Sequence, residues 1–176
     1  MLLTAEQLPH ASPPNMRTEL VRGVMMVREL AGYRHGAVAS RVHTAISVHV
    51  HAHELGAVIA AETGFKLFSN PDTVRAPDVA FIRRDRMPDP ATAGYASIVP
   101  DLVVEVLSPG DRPGEVDEKI DDWLTAGVRL VWIIDPVRRT GRVHRADGSA
   151  GDIPADGAFD GEDVLPEFRM SIAAAT

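Results

Sequence analysis

The 176-residue sequence predicts one domain of the α/β (α+β) class. In it, helices flank a mixed central β-sheet and a β-hairpin lies at the N-terminus. Two apolar runs, 74–82 and 101–107, each carry one internal acid and have the length of buried strands. A long proline-free helical pattern at 33–55 precedes them. The order strand, helix, strand from residue 101 to 134 predicts a parallel strand pair with a right-handed crossover.

Composition limits the class of protein. A hydrophobic content of 45% and a charged content of 24% are typical of a folded chain, and the length suits a single domain spanning 1–176. With no cysteine, no basic leader and no run of about 20 apolar residues, we expect a cytoplasmic protein with no membrane role. The net charge of -7 argues against a protein that coats nucleic acid by charge alone, but not against a nuclease.

The N-terminal half begins with a short helical turn, which Thr4 and Gln7 cap and the proline pair at 13–14 ends. Residues 19–29 alternate around Gly23 and predict a hairpin that turns at Arg22 and Gly23. The helix of residues 33–55 follows and ends at Gly56. An apolar edge near Val24 to Val27 could support a homodimer.

Strands are then predicted at 57–62, 64–68 and 74–82, with a turn at residues 70–72. Residues 86–100, rich in Pro, Ala and Asp, predict a loop that could act as a flexible flap. Beyond this loop the pattern predicts a list of further elements: a buried strand at 101–107, a helix at 115–126 closed by Gly127, a buried strand at 128–134, an edge strand at 141–145, and loops with one short hairpin at 147–163.

Two acids carry the chemical prediction. Glu105 lies among valines, where an ionised carboxylate is costly unless it is paired or bound to a metal. Asp78, directly after Pro77, has the same setting in the neighbouring run. If the two strands pair side by side, both carboxylates meet at one point and suit Mg²⁺ or Mn²⁺.

Lys119 follows on the next helix, one turn before Trp123. An ammonium beside two metal-binding carboxylates could orient the attacking water or stabilise developing phosphate charge. The alternative is a solvated lysine in the acidic run 115–122.

Five features follow one another along the chain: ELVRG, RAPDVAFI, PDLVVEVLSP, a lysine with an aromatic four residues later, and AGVRLVWIIDP. In this order and at these separations they resemble the Uma-two family of restriction-endonuclease-like proteins, over a stretch from about Glu19 to about Phe168. It implies the PD-(D/E)XK nuclease fold, with a restriction-endonuclease-like core.

The resemblance also implies roles for particular residues. Asp78 matches the aspartate of the PD motif, and Glu105 matches the acid of the second half-motif. The superfamily lysine would stand two residues after that acid, where this chain has Leu107, so its role would pass to Lys119. Glu19 is a candidate further ligand or supporting acid, and the alternative is an edge-strand glutamate in water.

Other polar residues have weaker patterns. His35 begins the long helix and would face the site if that end of the helix points toward the acids, whereas the alternative is a solvated position. Arginines flank the Asp78 run and could grip a phosphate backbone or could be scattered surface residues; they are Arg75, Arg83, Arg84 and Arg86.

Three functions remain open from the sequence. The leading one is an Mg²⁺-dependent endonuclease that hydrolyses DNA, with Asp78, Glu105, Lys119 and Glu19 as site residues. The rival is a non-catalytic module of nuclease fold that binds nucleic acid or protein, which Leu107 favours and the retained acids oppose. A metal-dependent hydrolase of a small phosphodiester would suit the acidic composition.

Overall fold

The computed structural model describes residues 2–14, 16–28, 30–89, 91 and 93–176. The helices are α1 (Leu8–Ala11), α2 (Tyr33–Ala52), α3 (Pro113–Ala126) and α4 (Ile172–Ala175). The strands are β1 (Arg17–Val21), β2 (Val24–Arg28), β3 (Gly56–Ala60), β4 (Phe65–Phe68), β5 (Thr73–Arg75), β6 (Val79–Arg83), β7 (Leu102–Val106), β8 (Leu130–Asp135), β9 (Thr140–Arg145), β10 (Ala150–Ile153), β11 (Ala158–Asp160) and β12 (Arg169–Ser171). The predicted α+β class, with a mixed sheet flanked by helices, is confirmed.

The central sheet has six strands in the order β10-β9-β8-β7-β6-β3. Strands β7 and β8 are parallel, as predicted, and α3 forms the connection between them. The other neighbouring pairs are antiparallel, including β6 with β7. This last pairing is the one that brings the two acid-bearing segments side by side.

The two faces of the central sheet are covered by different helices. Val104 and its alternate neighbours in β7 pack with Val42 and Ile46 of α2. Val103, on the opposite face, packs with Trp123 of α3. Because side chains alternate along a strand, Glu105 shares the α3 face with Val103. The acid therefore points to the helix that carries Lys119.

A second, four-stranded antiparallel sheet has the order β2-β1-β5-β4. Its β1–β2 pair is the predicted hairpin, with both turn residues, Arg22 and Gly23, at positive φ. Within the described residues β2 lies at the edge of this sheet, and Val24 and Val27 are exposed. The homodimer expected from this edge stays a prediction.

Two strand predictions were wrong. The predicted strand 74–82 is two strands, β5 and β6, which belong to different sheets. Pro77 lies between them, and a proline cannot donate to a strand ladder. The predicted edge strand at 141–145 is instead interior, because β10 pairs with its outer side.

Part of the predicted loop at 86–100 lies outside the described residues, at positions 90 and 92. A 3₁₀ turn, Arg84–Arg86, ends where this predicted loop begins, and within the loop Ala96 forms an isolated bridge with Phe65. The C-terminal strands β11 and β12 pair with each other. Among the described residues, the helices are too short or too polar to cross a membrane.

Candidate active site

The acids lie in a cleft where the chain passes from the four-stranded sheet to the central sheet. That passage is Ala76, Pro77 and Asp78, between β5 and β6. The cleft has a volume of about 760 Å³. Its lining includes all four predicted site residues: Glu19, Asp78, Glu105 and Lys119.

The register of β6 and β7 brings the two predicted metal ligands together. Val79 is opposite Val104, so continuing this antiparallel register by one residue places Asp78 opposite Glu105. The Asp78 amide still donates to the Val104 carbonyl at 3.2 Å, which extends the ladder to this point. Directly opposed residues share a sheet face, with Cβ atoms about 4.5–5.5 Å apart.

Asp78 is held by donors on its Oδ2 atom. The amide of Val106 donates to Oδ2 at 2.8 Å, and His35 Nε2 lies 3.0 Å from the same oxygen. Arg17 Nη2 is 3.9 Å from the other oxygen, Oδ1. The Asp78 side chain is 6% exposed, so these contacts replace most of its hydration.

Among the described residues, the hydrogen bonds to the Glu105 side chain come from α3. Lys119 Nζ donates to Oε2 and Trp123 Nε1 donates to Oε1, both at 2.9 Å. Lys119 and Trp123 are one helical turn apart and therefore lie on the same face of the helix. The spacing of the lysine and the aromatic residue therefore lets both side chains donate to the same carboxylate, that of Glu105.

Lys119 joins Glu105 to Glu19. Its Nζ is 3.1 Å from Glu19 Oε1 and also donates to the Ala76 carbonyl at 2.9 Å. The alternative of a solvated lysine is therefore wrong: the side chain is only 17% exposed. Glu19 is likewise buried and accepts the Ala76 amide at 3.0 Å, so the alternative of an edge glutamate in water is also wrong.

Arg75 is a buried residue of this site whose role the sequence did not reveal. It donates to Asp122 Oδ2 through Nε at 2.9 Å and Nη2 at 2.6 Å, and to Glu19 Oε2 through Nη1 at 3.1 Å. Its side chain is 1% exposed, so the suggestion that it grips phosphate is wrong. Arg75 instead fixes Glu19, which in turn contacts Lys119.

The other flanking arginines are engaged elsewhere. Arg83 pairs with Asp85, and Arg84 lies 3.5 Å from Glu54. Arg86 donates to buried Asp101 at 2.5 Å. Among the described residues, none of these three arginines lines the cleft.

Buried acidic and basic side chains lie close together in this site, and they shift the pKa values of Glu105, Glu19 and Lys119. Burial, with the charges of Asp78 and Glu19, raises the pKa of Glu105 to about 7 against the pull of Lys119. Burial acts in the same direction on Glu19, but Lys119 and Arg75 overcome it and lower the pKa of Glu19 to about 2. Burial opposes the charge on Lys119, yet Glu105 and Glu19 raise its pKa. Lys119 is therefore an ammonium at neutral pH.

The pKa values of Asp78 and His35 are also shifted. Burial raises the pKa of Asp78, but His35 and Lys119 outweigh it and leave the pKa below its ordinary value. The hydrogen bond with Asp78 raises the pKa of His35. Of the three acids Glu19, Asp78 and Glu105, Glu105 is thus the one whose pKa is raised.

We expect the metal-free protein to be more stable at pH 5.5 than at pH 7.5. The folded-state pKa of Glu105 is raised from 4.5 to about 7, so its protonated form favours the fold, and this stability is lost as pH rises through 7. His35, with its raised pKa, acts in the same direction. The lowered pKa of Glu19 reduces stability only below about pH 4.5. Thermal melts in EDTA should show the difference.

The matched variant for this measurement is Glu105→Gln, which removes the titrating group while keeping its shape. Its melting temperature should depend less on pH over the same range. A wild-type melting temperature that rises from pH 5.5 to 7.5 would contradict the assigned shift of Glu105.

The chemistry of the donor set fits a hard divalent cation. Within residues 2–14, 16–28, 30–89, 91 and 93–176, no three His, Cys, Asp or Glu groups are arranged to hold a metal ion. Two carboxylates, Asp78 and Glu105, could do so with water in the remaining positions, as is usual for Mg²⁺. Each carboxylate has about four lone-pair sites, so the existing hydrogen bonds leave capacity for a further ligand.

A mixed sheet with opposed acids on adjacent strands and a lysine from the crossover helix agrees with the restriction-endonuclease-like core that the sequence resemblance implied. The chain belongs to the Uma2 family, described as "putative restriction endonuclease", whose model matches residues 4–173. The resemblance found in the sequence is therefore confirmed.

A solved structure gives independent support for the fold. It is a crystal structure described as a putative nuclease belonging to DUF820, from Anabaena variabilis. The TM-score is 0.84 at 21% identity, over 98% of this chain and 97% of that chain. No match was found among curated proteins.

Proposed function

We propose that this protein is an Mg²⁺- or Mn²⁺-dependent endonuclease that hydrolyses phosphodiester bonds in DNA. The observation that carries the proposal is the register that opposes Asp78 and Glu105, with Lys119 hydrogen-bonded to Glu105 in the same cleft. Membership of a family described as "putative restriction endonuclease" supports the nuclease activity.

Asp78 and Glu105 would hold the cation. When bound, a divalent cation supplies Lewis-acid stabilisation of negative charge on phosphate oxygens. Binding would also offset the burial and the repulsion from Asp78 and Glu19 that together raise the pKa of Glu105. The residues therefore have an electrostatic reason to accept a cation.

Lys119 would act as a fixed positive charge. Since its pKa is raised, it cannot accept a proton from water at neutral pH. It can orient the attacking water and stabilise charge that develops on the phosphate. Glu19 would hold Lys119 in this position through the 3.1 Å contact.

The rim of the cleft carries candidate contacts for a nucleic-acid backbone. Arg17, Arg28 and Arg112 line it, and Arg112 is largely exposed. Arginine forks suit phosphate oxygens, although the same rim also carries Glu62, Asp111 and Glu115. This rim is the basis for proposing DNA as the substrate.

The experiment that tests the proposal is cleavage of supercoiled plasmid and of oligonucleotides by the purified chain, with Mg²⁺, Mn²⁺ or EDTA. We expect cleavage only with the cations. We expect Lys119→Met to lose cleavage while still binding Mn²⁺, because the carboxylates remain. Arg84→Met, a change of an exposed cation outside the cleft, is the control and should cut normally.

Lys119→Met should also destabilise the metal-free fold, since it leaves Glu19 and Glu105 without their shared cation; breaking such a buried pair costs about 3–5 kcal/mol. Cleavage should therefore be compared at a temperature where both proteins are folded. If wild type cuts no DNA or RNA with either cation, yet binds nucleic acid or protein with and without Lys119, the non-catalytic module is the better account.

A further inference from the structure

His35 has a position in the cleft that the proposed roles of the acids and the lysine do not explain. It lies in the first turn of α2, on the opposite side of the central sheet from α3. Its side chain is 11% exposed, and Nε2 lies 3.0 Å from Asp78 Oδ2. The other ring nitrogen, Nδ1, is buried and has no hydrogen-bond partner in the described part of the chain. The Asp78 contact is thus its one polar interaction there.

Asp78 itself does not lie within a regular strand. It directly precedes β6, in the passage between the two sheets, so the strand ladder alone does not fix its side chain. Two donors do so: the Val106 amide from the sheet and His35 from α2. Both engage Oδ2, which leaves Oδ1 with the 3.9 Å contact to Arg17 among the described residues.

We propose that His35 is a positioning residue for Asp78: its Nε2–H donates to Oδ2 and holds the carboxylate so that Oδ1 is available to a divalent cation. This inference rests on the proposed function, since it assumes that Asp78 binds a cation. Carboxylates that bind metals are commonly hydrogen-bonded by such outer partners, and losing a partner typically weakens metal affinity or activity by about 10–100-fold.

The position of the donor can be tested with three variants of His35. His35→Gln keeps an amide N–H about as far from the backbone as Nε2. His35→Asn places its amide nearer to the backbone, at about the position of Nδ1, and His35→Ala has no donor. The control is His51→Ala, an exposed histidine at the other end of the same helix.

Mn²⁺ affinity should be measured by calorimetry on each folded variant, with melts in EDTA to show that the fold is kept. We expect Ala and Asn to bind Mn²⁺ about 10–100-fold more weakly than wild type, Gln to recover most of the affinity, and His51→Ala to match wild type. In cleavage assays the Mn²⁺ concentration for half-maximal rate should rise by the same factor, while KM for DNA stays unchanged. A purely structural role for His35 would not produce this pattern.

Two outcomes would overturn the inference, and they are distinguishable. If wild type and His35→Ala bind Mn²⁺ equally well, or if Gln binds as weakly as Ala, His35 does not position Asp78, although the metal site stands. If wild type itself binds no Mn²⁺, the proposed function fails and the role of His35 fails with it.

Discussion

Asp78→Asn and Glu105→Gln should each reduce Mg²⁺-dependent DNA cleavage to the level seen in EDTA. Both changes preserve shape and remove the negative charge that would hold the cation. We expect a loss of more than about 100-fold, beyond the 10–100-fold that follows loss of an outer hydrogen-bond partner. Mn²⁺ should raise the melting temperature of wild type at millimolar concentration, and neither variant should show this shift.

The matched control is Glu118→Gln, on α3 next to Lys119, whose exposed side chain pairs with Arg22. It should cut DNA and respond to Mn²⁺ like wild type. If Asp78→Asn or Glu105→Gln retains the wild-type rate, the opposed carboxylates are not the metal site. An equal Mn²⁺-induced shift in wild type and Asp78→Asn would lead to the same conclusion.

Arg75→Met should cause a loss of stability at least as large as that of Lys119→Met. Arg75 is buried and bonded to both Glu19 and Asp122. Its removal takes the one fully buried cation from both carboxylates and leaves Glu19 with Lys119 and Asp122 with half-exposed Arg22. Breaking a buried ion pair costs about 3–5 kcal/mol. For a chain of this size, that lowers Tm by roughly 6–20 °C. Chemical denaturation and thermal melts measure the effect directly.

Two further variants serve as a control and as a partial rescue for the loss of stability in Arg75→Met. Arg84→Met, in an exposed pair with Glu54, should change the free energy of unfolding by less than about 0.5 kcal/mol. Adding Asp122→Asn to Arg75→Met should restore part of the stability, because it removes one of the two buried carboxylate charges that lost Arg75. If Arg75→Met stays within about 1 kcal/mol of wild type, the buried network does not support Glu19 as described.

The two acids were predictable because their signal is local. A single carboxylate in an apolar run, at Asp78 and again at Glu105, requires a partner wherever that strand is buried. The strand, helix, strand order around Lys119 predicted that β7 and β8 are parallel and that α3 connects them. These features depend only on short stretches of chain. In the structure, β7 pairs with β6 on one side and with β8 on the other, within the central sheet.

The role of Arg75 was not predictable in this way. Its partners Glu19 and Asp122 are 56 and 47 residues away, and an arginine beside a strand is more often at the surface. The break at Pro77 was visible, but the transfer of the chain from one sheet to the other was not. Both depend on how the two sheets meet, which local patterns do not encode.

We propose that Asp78 and Glu105 hold a divalent cation in this cleft. The most direct measurement is anomalous scattering from crystals soaked with Mn²⁺. We expect one peak within roughly 2.0–2.3 Å of an oxygen of each carboxylate, with Lys119 still in contact with Glu105 or Glu19. No peak between Asp78 and Glu105 at saturating Mn²⁺, or a peak only elsewhere on the protein, would contradict it.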